Sequence, residues 1–295
     1  MRNAFIDELV KLARVKKNIA LVVGDLGYKV VEPFAEEFPD RFINAGVAEQ
    51  NMTGLAAGLA SEGFHVFTYS IANFPTFRCA EQIRNDIDYH NLPVTIVTVG
   101  GGLSYGNLGY SHHAIQDYAL IRSMPNMLIA APGDPMETRA CIRYLVDNPQ
   151  PSYLRLGKAG EPSFHKDVPA VEPGIWLNVS KGLLPQKCIL TTGATLGLAF
   201  EWSKEHNFKD YTICSMPLWG MKYKDIQEQI FKKHESIITL EDHLFDGGFG
   251  SWMLESCYSS INSNNLIKCL ALSKNICGMV GTQKYLNMLG NIAPQ

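Results

Sequence analysis

Short apolar runs rich in β-branched residues alternate, along the first half of the chain, with stretches whose apolar positions recur at helical spacing. "IALVVGD" (19–25), "HVFTYS" (65–70), "VTIVTVG" (94–100), "MLIAAP" (127–132) and "SYLRLG" (152–157) read as strands. Helical patterns at 49–62, 77–89, 115–123 and 134–147 separate them. The last opens with Asp134-Pro135, a capping residue ahead of proline at the first helical position. Strands that are apolar throughout, alternating with helices, predict a mostly parallel sheet covered on both faces. Residues 158–187 break the rhythm with three prolines before position 174 and no clean period, so they read as a connection. Beyond it, strands are expected at 188–193, 211–216, 236–242 and 266–272. Helices are expected around 195–206, 223–233, 249–260 and 282–289. The fold class is therefore α/β: two consecutive domains with mostly parallel sheets, residues 1–165 and 166–295. No internal repeat or low-complexity tract interrupts them.

A length of 295 residues suits two domains, and an apolar share of 46% allows each a core. The net charge of −3, with basic residues scattered singly or in pairs, gives no reason to expect nucleic acid or an anionic membrane. No apolar run approaches the ~20 residues of a membrane span. "MRNAFIDELVKLARVKKN" mixes charged and apolar residues at helical spacing, unlike a signal or transit peptide. Seven cysteines without a C-x-x-C pair suggest reduced thiols in a cytoplasm, most of them small core residues, and argue against a zinc site.

Ligands on such sheets gather beyond the carboxyl ends of strands. In "NAGVAEQNMTGLAAG" (44–58), Glu49 opens a helix made of small and apolar residues. Its carboxylate suits the unpaired N–H groups and dipole of a helix start. Gly54, Ala56, Ala57 and Gly58 also let a flat ligand or another backbone come close, so a carboxylate facing a partner stays open. Phe74 and Phe77 precede a helix bearing Arg78, Glu81, Gln82, Arg84 and Asp86, and either belong to the core or offer a stacking surface. "VGGGLSYGNLGYSHHAIQD" (99–117) sets five glycines and two adjacent histidines in an unusually long loop. His112 and His113 suit proton transfer or substrate hydrogen bonding, a metal pair, or loop structure. The glycines match neither a P-loop nor a dinucleotide fingerprint. No G-x-S-x-G elbow or nucleophilic cysteine context supports a self-contained hydrolase.

"GDLG" (24–27), "FINAGVAEQNMTGLAAGLASEG" (42–63), "AEQIRNDI" (80–87), "SHHAIQDYALIRSMPNMLIAAPGDP" (111–135), "YLRLG" (153–157), "TTGAT" (191–195) and "LEDHLFDGGFG" (240–250) together resemble the C-terminal half of the transketolase family. The resemblance covers essentially the whole chain. It implies a pyrimidine-binding domain followed by the family's C-terminal domain, with thiamine diphosphate held between this chain and a diphosphate-binding domain on another. Glu49 then matches the catalytic glutamate that hydrogen-bonds N1′ of the aminopyrimidine and favours its 4′-imino tautomer. Cofactor contacts are implied at Glu49, Phe74, Phe77 and Gln82, with Phe74 nearest the family's stacking aromatic. His112, beside His113, matches a histidine that contacts substrate near the reacting carbon, giving catalytic roles to Glu49 and His112. Arg155 matches an arginine that binds an acceptor's phosphate.

Two departures set this chain apart from the common sugar-phosphate pattern. Leu108 stands where an aspartate is usual, and Gly100 falls roughly where a phosphate-contacting histidine would be. A modified or deoxy sugar becomes a plausible substrate. The G-D-G…Asn motif that holds Mg²⁺ and diphosphate is missing, so no metal ligands are assigned to this chain. The chain starts at its own methionine. It is therefore expected to be a complete small subunit, partnered by a separately encoded N-terminal-half subunit in an α2β2 assembly, with helix 49–62 a candidate contact between copies. Two alternatives are a β subunit of a 2-oxoacid dehydrogenase or decarboxylase, which would release CO2, and a non-catalytic regulatory partner.

Overall fold

A computed structural model describes residues 1–261 and 266–294. In chain order the strands are β1 (Ile19–Val23), β2 (Phe42–Asn44), β3 (His65–Ile71), β4 (Val94–Val99), β5 (Leu128–Ala130) and β6 (Ser152–Leu156), then β7 (Leu177–Ser180), β8 (Leu184–Thr191), β9 (Tyr211–Ser215), β10 (Leu218–Trp219), β11 (Ser236–Leu244) and β12 (Leu266–Leu272). They form a seven-stranded sheet of order β10-β5-β6-β4-β3-β1-β2 and a five-stranded sheet of order β12-β11-β8-β9-β7. All neighbours run parallel except β10 against β5 and β7 against β9. Every residue of β1, β4, β5 and β6 is buried, which is why these strands read as unbroken apolar runs.

Helices cover both faces of the first sheet. Arg2–Val15 buries Phe5, Ile6, Leu9, Val10 and Ala13 on one side, packing on the helix Pro135–Asp147. Asp134 caps the latter as its sequence suggests, its carboxylate accepting from the Glu137 N–H at 2.7 Å. On the other face, Met52, Ala56, Ile83 and Ile87 share one core cluster with Leu190, Trp219, Phe249 and Trp252 of the second half. Trp219 is the pivot. Its ring lies 5.1 Å from Tyr118 and 5.3 Å from Phe249, and its indole N–H donates to Thr192 Oγ1 at 3.0 Å.

Three features differ from the sequence pattern. The expected connection, 158–187, ends in β7 and the start of β8; β7 lies half-exposed on a sheet edge and so lacks an apolar run. The two-residue β10 returns from the second half to join the first sheet, so the halves are interlocked rather than simply in series. The helix expected at 77–89 starts at Phe74 and widens into a π-helical stretch over Ile83–Asp88. Among the described residues, no helix is long and apolar enough to cross a membrane. All seven cysteines are unpaired thiols, five of them buried.

Candidate active site

The carboxyl ends of β2, β3 and β4 bring together residues that are far apart in sequence. Glu49 is the first residue of the helix Glu49–Ser61, whose inner face buries Met52, Thr53, Ala56, Ala57 and Ala60. The Thr53 hydroxyl donates to the Glu49 carbonyl at 2.8 Å and fixes this turn. The Glu49 side chain is only 5% exposed, yet it borders an open depression with Val47, Gln50, Asn51 and Arg78.

Arg78 organises what surrounds it. Its Nη1 donates to both Glu49 oxygens at 3.0 Å, while half of its side chain stays in solvent. The same guanidinium lies over the Phe74 ring, 4.3 Å from the centroid. The His112 ring meets Phe74 edge-on at 5.1 Å. Ser111 Oγ and His112 Nδ1 are 3.0 Å apart, and Asn73 Nδ2 donates to the Ser111 carbonyl at 2.9 Å, tying the histidine loop to the Phe74 turn. Partial burial, then the neighbouring His113 and the Arg78 guanidinium, push the His112 imidazole below its usual range.

Thus Glu49, Phe74 and His112, separated by 25 and more residues, form one surface with Arg78 at its centre. Phe77 is exposed and lines a neighbouring depression with Asn73, Tyr110, Ser111, His113 and Gln116. His113 is buried beneath the loop, its Nε2 3.3 Å from the Gly106 carbonyl and its Nδ1 without a partner among the described residues. Gln82 follows Arg78 by about one helical turn, in a segment packed on the Glu49 helix. Its Oε1 is buried and without a partner among the described residues, an acceptor suited to an incoming amino group. Leu108 is exposed, and Gly54 and Gly58 face open space.

Arg155 is placed differently from the expectation that it grips a substrate phosphate. It is 2% exposed, and each of its nitrogens donates within the protein: Nε to Asp117 Oδ2 at 2.7 Å, Nη1 to Asp242 Oδ1 at 2.6 Å, Nη2 to the Ala114 carbonyl at 2.7 Å. Tyr153 donates to the same Asp117 oxygen at 2.8 Å, and its hydroxyl lies 3.1 Å from Thr76 Oγ1 in the Phe74 turn. This network joins the first sheet to β11 of the second. It also explains the glycine run: a Cβ at Gly101 would strike the Arg155 guanidinium, and one at Gly102 the Asp242 carboxylate. Neither Arg78 as the partner of Glu49 nor the Asp117–Arg155–Asp242 cluster was singled out from sequence, because no spacing links partners 29, 38 and 87 positions apart. Among the described residues, no three His, Cys, Asp or Glu side chains are grouped to hold a metal ion.

Comparison with known proteins places the chain in a family. Residues 1–160 match the family described as "Transketolase, pyrimidine binding domain". The chain is 35% identical over 261 residues to one of the subunits of apulose-4-phosphate transketolase from Phocaeicola vulgatus, covering 86% of this chain and 82% of that one. It is 31% identical over 260 residues to 1-deoxy-D-xylulose-5-phosphate synthase of Clostridium perfringens, covering 86% of this chain and 41% of that longer protein. A solved structure, described as "Split gene transketolase, inactive beta4 tetramer", superposes with a TM-score of 0.84 at 28% identity, over 99% of this chain and 93% of that one. The chain belongs to the transketolase family and, within it, is the small subunit of a two-component transketolase.

Proposed function

We propose that this subunit supplies the pyrimidine side of a thiamine diphosphate site and is active only when a separately encoded subunit supplies the diphosphate side with its Mg²⁺. The observation that carries this reading is that Arg78, Phe74 and His112 adjoin Glu49 in turn, beside the open depression that Glu49 and Arg78 border. These residues fit an aminopyrimidine: a nearly buried carboxylate, an aromatic ring and an orphaned acceptor on Gln82. Nothing among the described residues is grouped to hold the metal. The related β4 tetramer is described as inactive, which supports the need for a partner, and an α2β2 assembly is the arrangement we infer. The unit that carries the site spans residues 1–165, followed by a C-terminal domain at 166–295. A cytoplasmic location is supported by the seven unpaired thiols.

Each residue has a defined task. With thiamine diphosphate bound, the nearly buried Glu49 carboxylate would hydrogen-bond the pyrimidine N1′ and so bias the ring's tautomer. Phe74 would stack on the ring, and Arg78, which lies over Phe74 and bonds Glu49, would then have to move aside. Bound thiamine diphosphate supplies the electron sink for the two-carbon ketol unit as it passes from a ketose to an aldose. His112, oriented through Nδ1 by Ser111, presents Nε2 to substrate oxygens, and its lowered pKa favours the uncharged ring. His113 and Phe77 flank that approach. Arg155 acts from within the protein, by holding Asp117 and the Tyr153–Thr76 link behind the Phe74 turn.

The relative named for apulose 4-phosphate makes that ketose phosphate the first donor to try. Supplied with it and an aldose phosphate, the mixed subunits are expected to exchange a two-carbon unit without CO2 release. Turnover of a 2-oxoacid with CO2 release, and none of ketose donors, would overturn the assignment.

A further inference from the structure

The strand order of the second sheet reverses between β11 and β8: the chain leaves β8 for β9 on one side and returns to β11 on the other. In open α/β sheets the crevice outside the carboxyl ends of strands at such a reversal is where ligands bind. A cavity of about 450 Å³ opens there, lined by Thr195 after β8 and by Asp242 of β11. Phe164 and Phe200 also line it, their rings stacked 4.4 Å apart and within 5° of parallel, as does the helix Gln283–Leu289.

Asn287 lines this cavity and is 6% exposed, and its Oδ1 is buried without a partner among the described residues. A buried carbonyl left unpaired is costly unless something donates to it. Lys204 and Lys284 line the same cavity, and among the described residues neither is held in an ion pair. Of the two carboxylates there, Asp242 already holds Arg155, leaving Glu201 as the counterweight. Cation, unpaired acceptor and flat apolar wall together suit one chemistry.

We propose that this cavity binds a small anion, phosphate or carboxylate, carried on a hydroxyl-bearing body. The lysines take the anion, a ligand hydroxyl donates to Asn287 Oδ1, and Phe164 and Phe200 cover the carbon skeleton. The site is separate from the Glu49 surface and does not rest on the reading given to it.

Glycerol 3-phosphate and glycerate share a hydroxylated three-carbon body and differ in the anionic group, so each is titrated into the full chain by calorimetry and thermal unfolding. At least one is expected to bind saturably and raise the unfolding temperature, and which one assigns the anion as phosphate or carboxylate. Lys204→Ala and Lys284→Ala, both on exposed positions, are expected to weaken binding by about tenfold or more. Asn287→Leu is expected to abolish binding while unfolding no earlier than the wild type in the absence of ligand, since it removes an unpaired acceptor. If Asn287→Leu fails to fold, the two lysine variants decide alone. Absence of binding by either compound up to about 10 mM overturns the proposal. So does binding that survives all three changes and is lost in Arg78→Ala, which would put the ligand at the Glu49 surface.

Discussion

Two arginine–carboxylate groups lie within this fold and are built for opposite ends. Arg78 meets Glu49 with one nitrogen, keeps half its side chain in water and lies over the Phe74 ring. Arg155 meets Asp117 and Asp242 with every nitrogen engaged, 2% exposed, between two sheets. A half-solvated pair costs little to break, because water replaces what is lost. A buried pair is costly to break one-sidedly, because the remaining charge has nowhere to go. The first suits a surface that must open to a ligand, the second a joint that must stay shut.

Replacing either side of these pairs sharpens the contrast. Glu49→Gln, which keeps shape but cannot carry the charge, is expected to lower turnover of the assembled enzyme by about 100- to 10,000-fold, as for loss of a proton-handling group. Co-elution of the subunits checks that assembly survives, and retained turnover would return the chain to a non-catalytic role. Arg155→Met leaves two buried carboxylates unpaired and is expected to cost about 3–5 kcal/mol in chemical denaturation. A loss below about 1 kcal/mol would show that the network is not the joint described.

Between these extremes lies His165, 14% exposed, with Nδ1 3.0 Å from Asp134 Oδ2. The bond to Asp134 raises its pKa against the pull of burial, with Glu137 adding to the rise. A histidine whose pKa is higher folded than unfolded contributes stability that is complete below about pH 6.5 and is lost as pH rises through the folded value. Asp134 mirrors it. Burial works against its charge, but bonds from His165 and from backbone N–H groups outweigh that and lower it to about 2, so its contribution is complete above about pH 4 and is lost as pH falls through the folded value. His165→Gln is expected to remove a decline on the order of 1 kcal/mol above neutrality, read from unfolding temperature against pH. The smallest effect belongs to Arg78→Ala, at about 0.5 kcal/mol of stability. Cofactor binding by the mixed enzyme is expected to be unchanged or tighter, and a tenfold weakening would mean that Arg78 holds the ligand rather than yields to it.

The same contrast separates what could be read along the chain from what could not. Buried strands such as β4 and β6 are unbroken apolar runs, and the Asp134-Pro135 helix start carries its own chemistry, so the two-sheet α/β plan was legible. Glu49, Phe74 and His112 were legible as candidates because each follows a strand end, where such sheets gather ligands. The Arg78–Glu49 pair was not, since a charged residue on a helix names no partner. Nor was the destination of Arg155: its residue type suits a phosphate as well as it suits two buried aspartates, and only the fold brings Asp117 and Asp242 beside it. The glycines at 100–102 read as a ligand loop, whereas two of them, Gly101 and Gly102, give the Arg155 network its room. Two-residue β10 has too few positions to show any period.

The most direct test of the central claim, that this chain holds one half of a cofactor site, is thiamine diphosphate binding by calorimetry to the chain alone, to its diphosphate-side partner alone and to the mixture, each with and without Mg²⁺. The expected result is tight, Mg²⁺-dependent binding in the mixture only, weakened when Glu49→Gln is used. Binding of comparable strength by this chain alone, or none in the mixture, would contradict it.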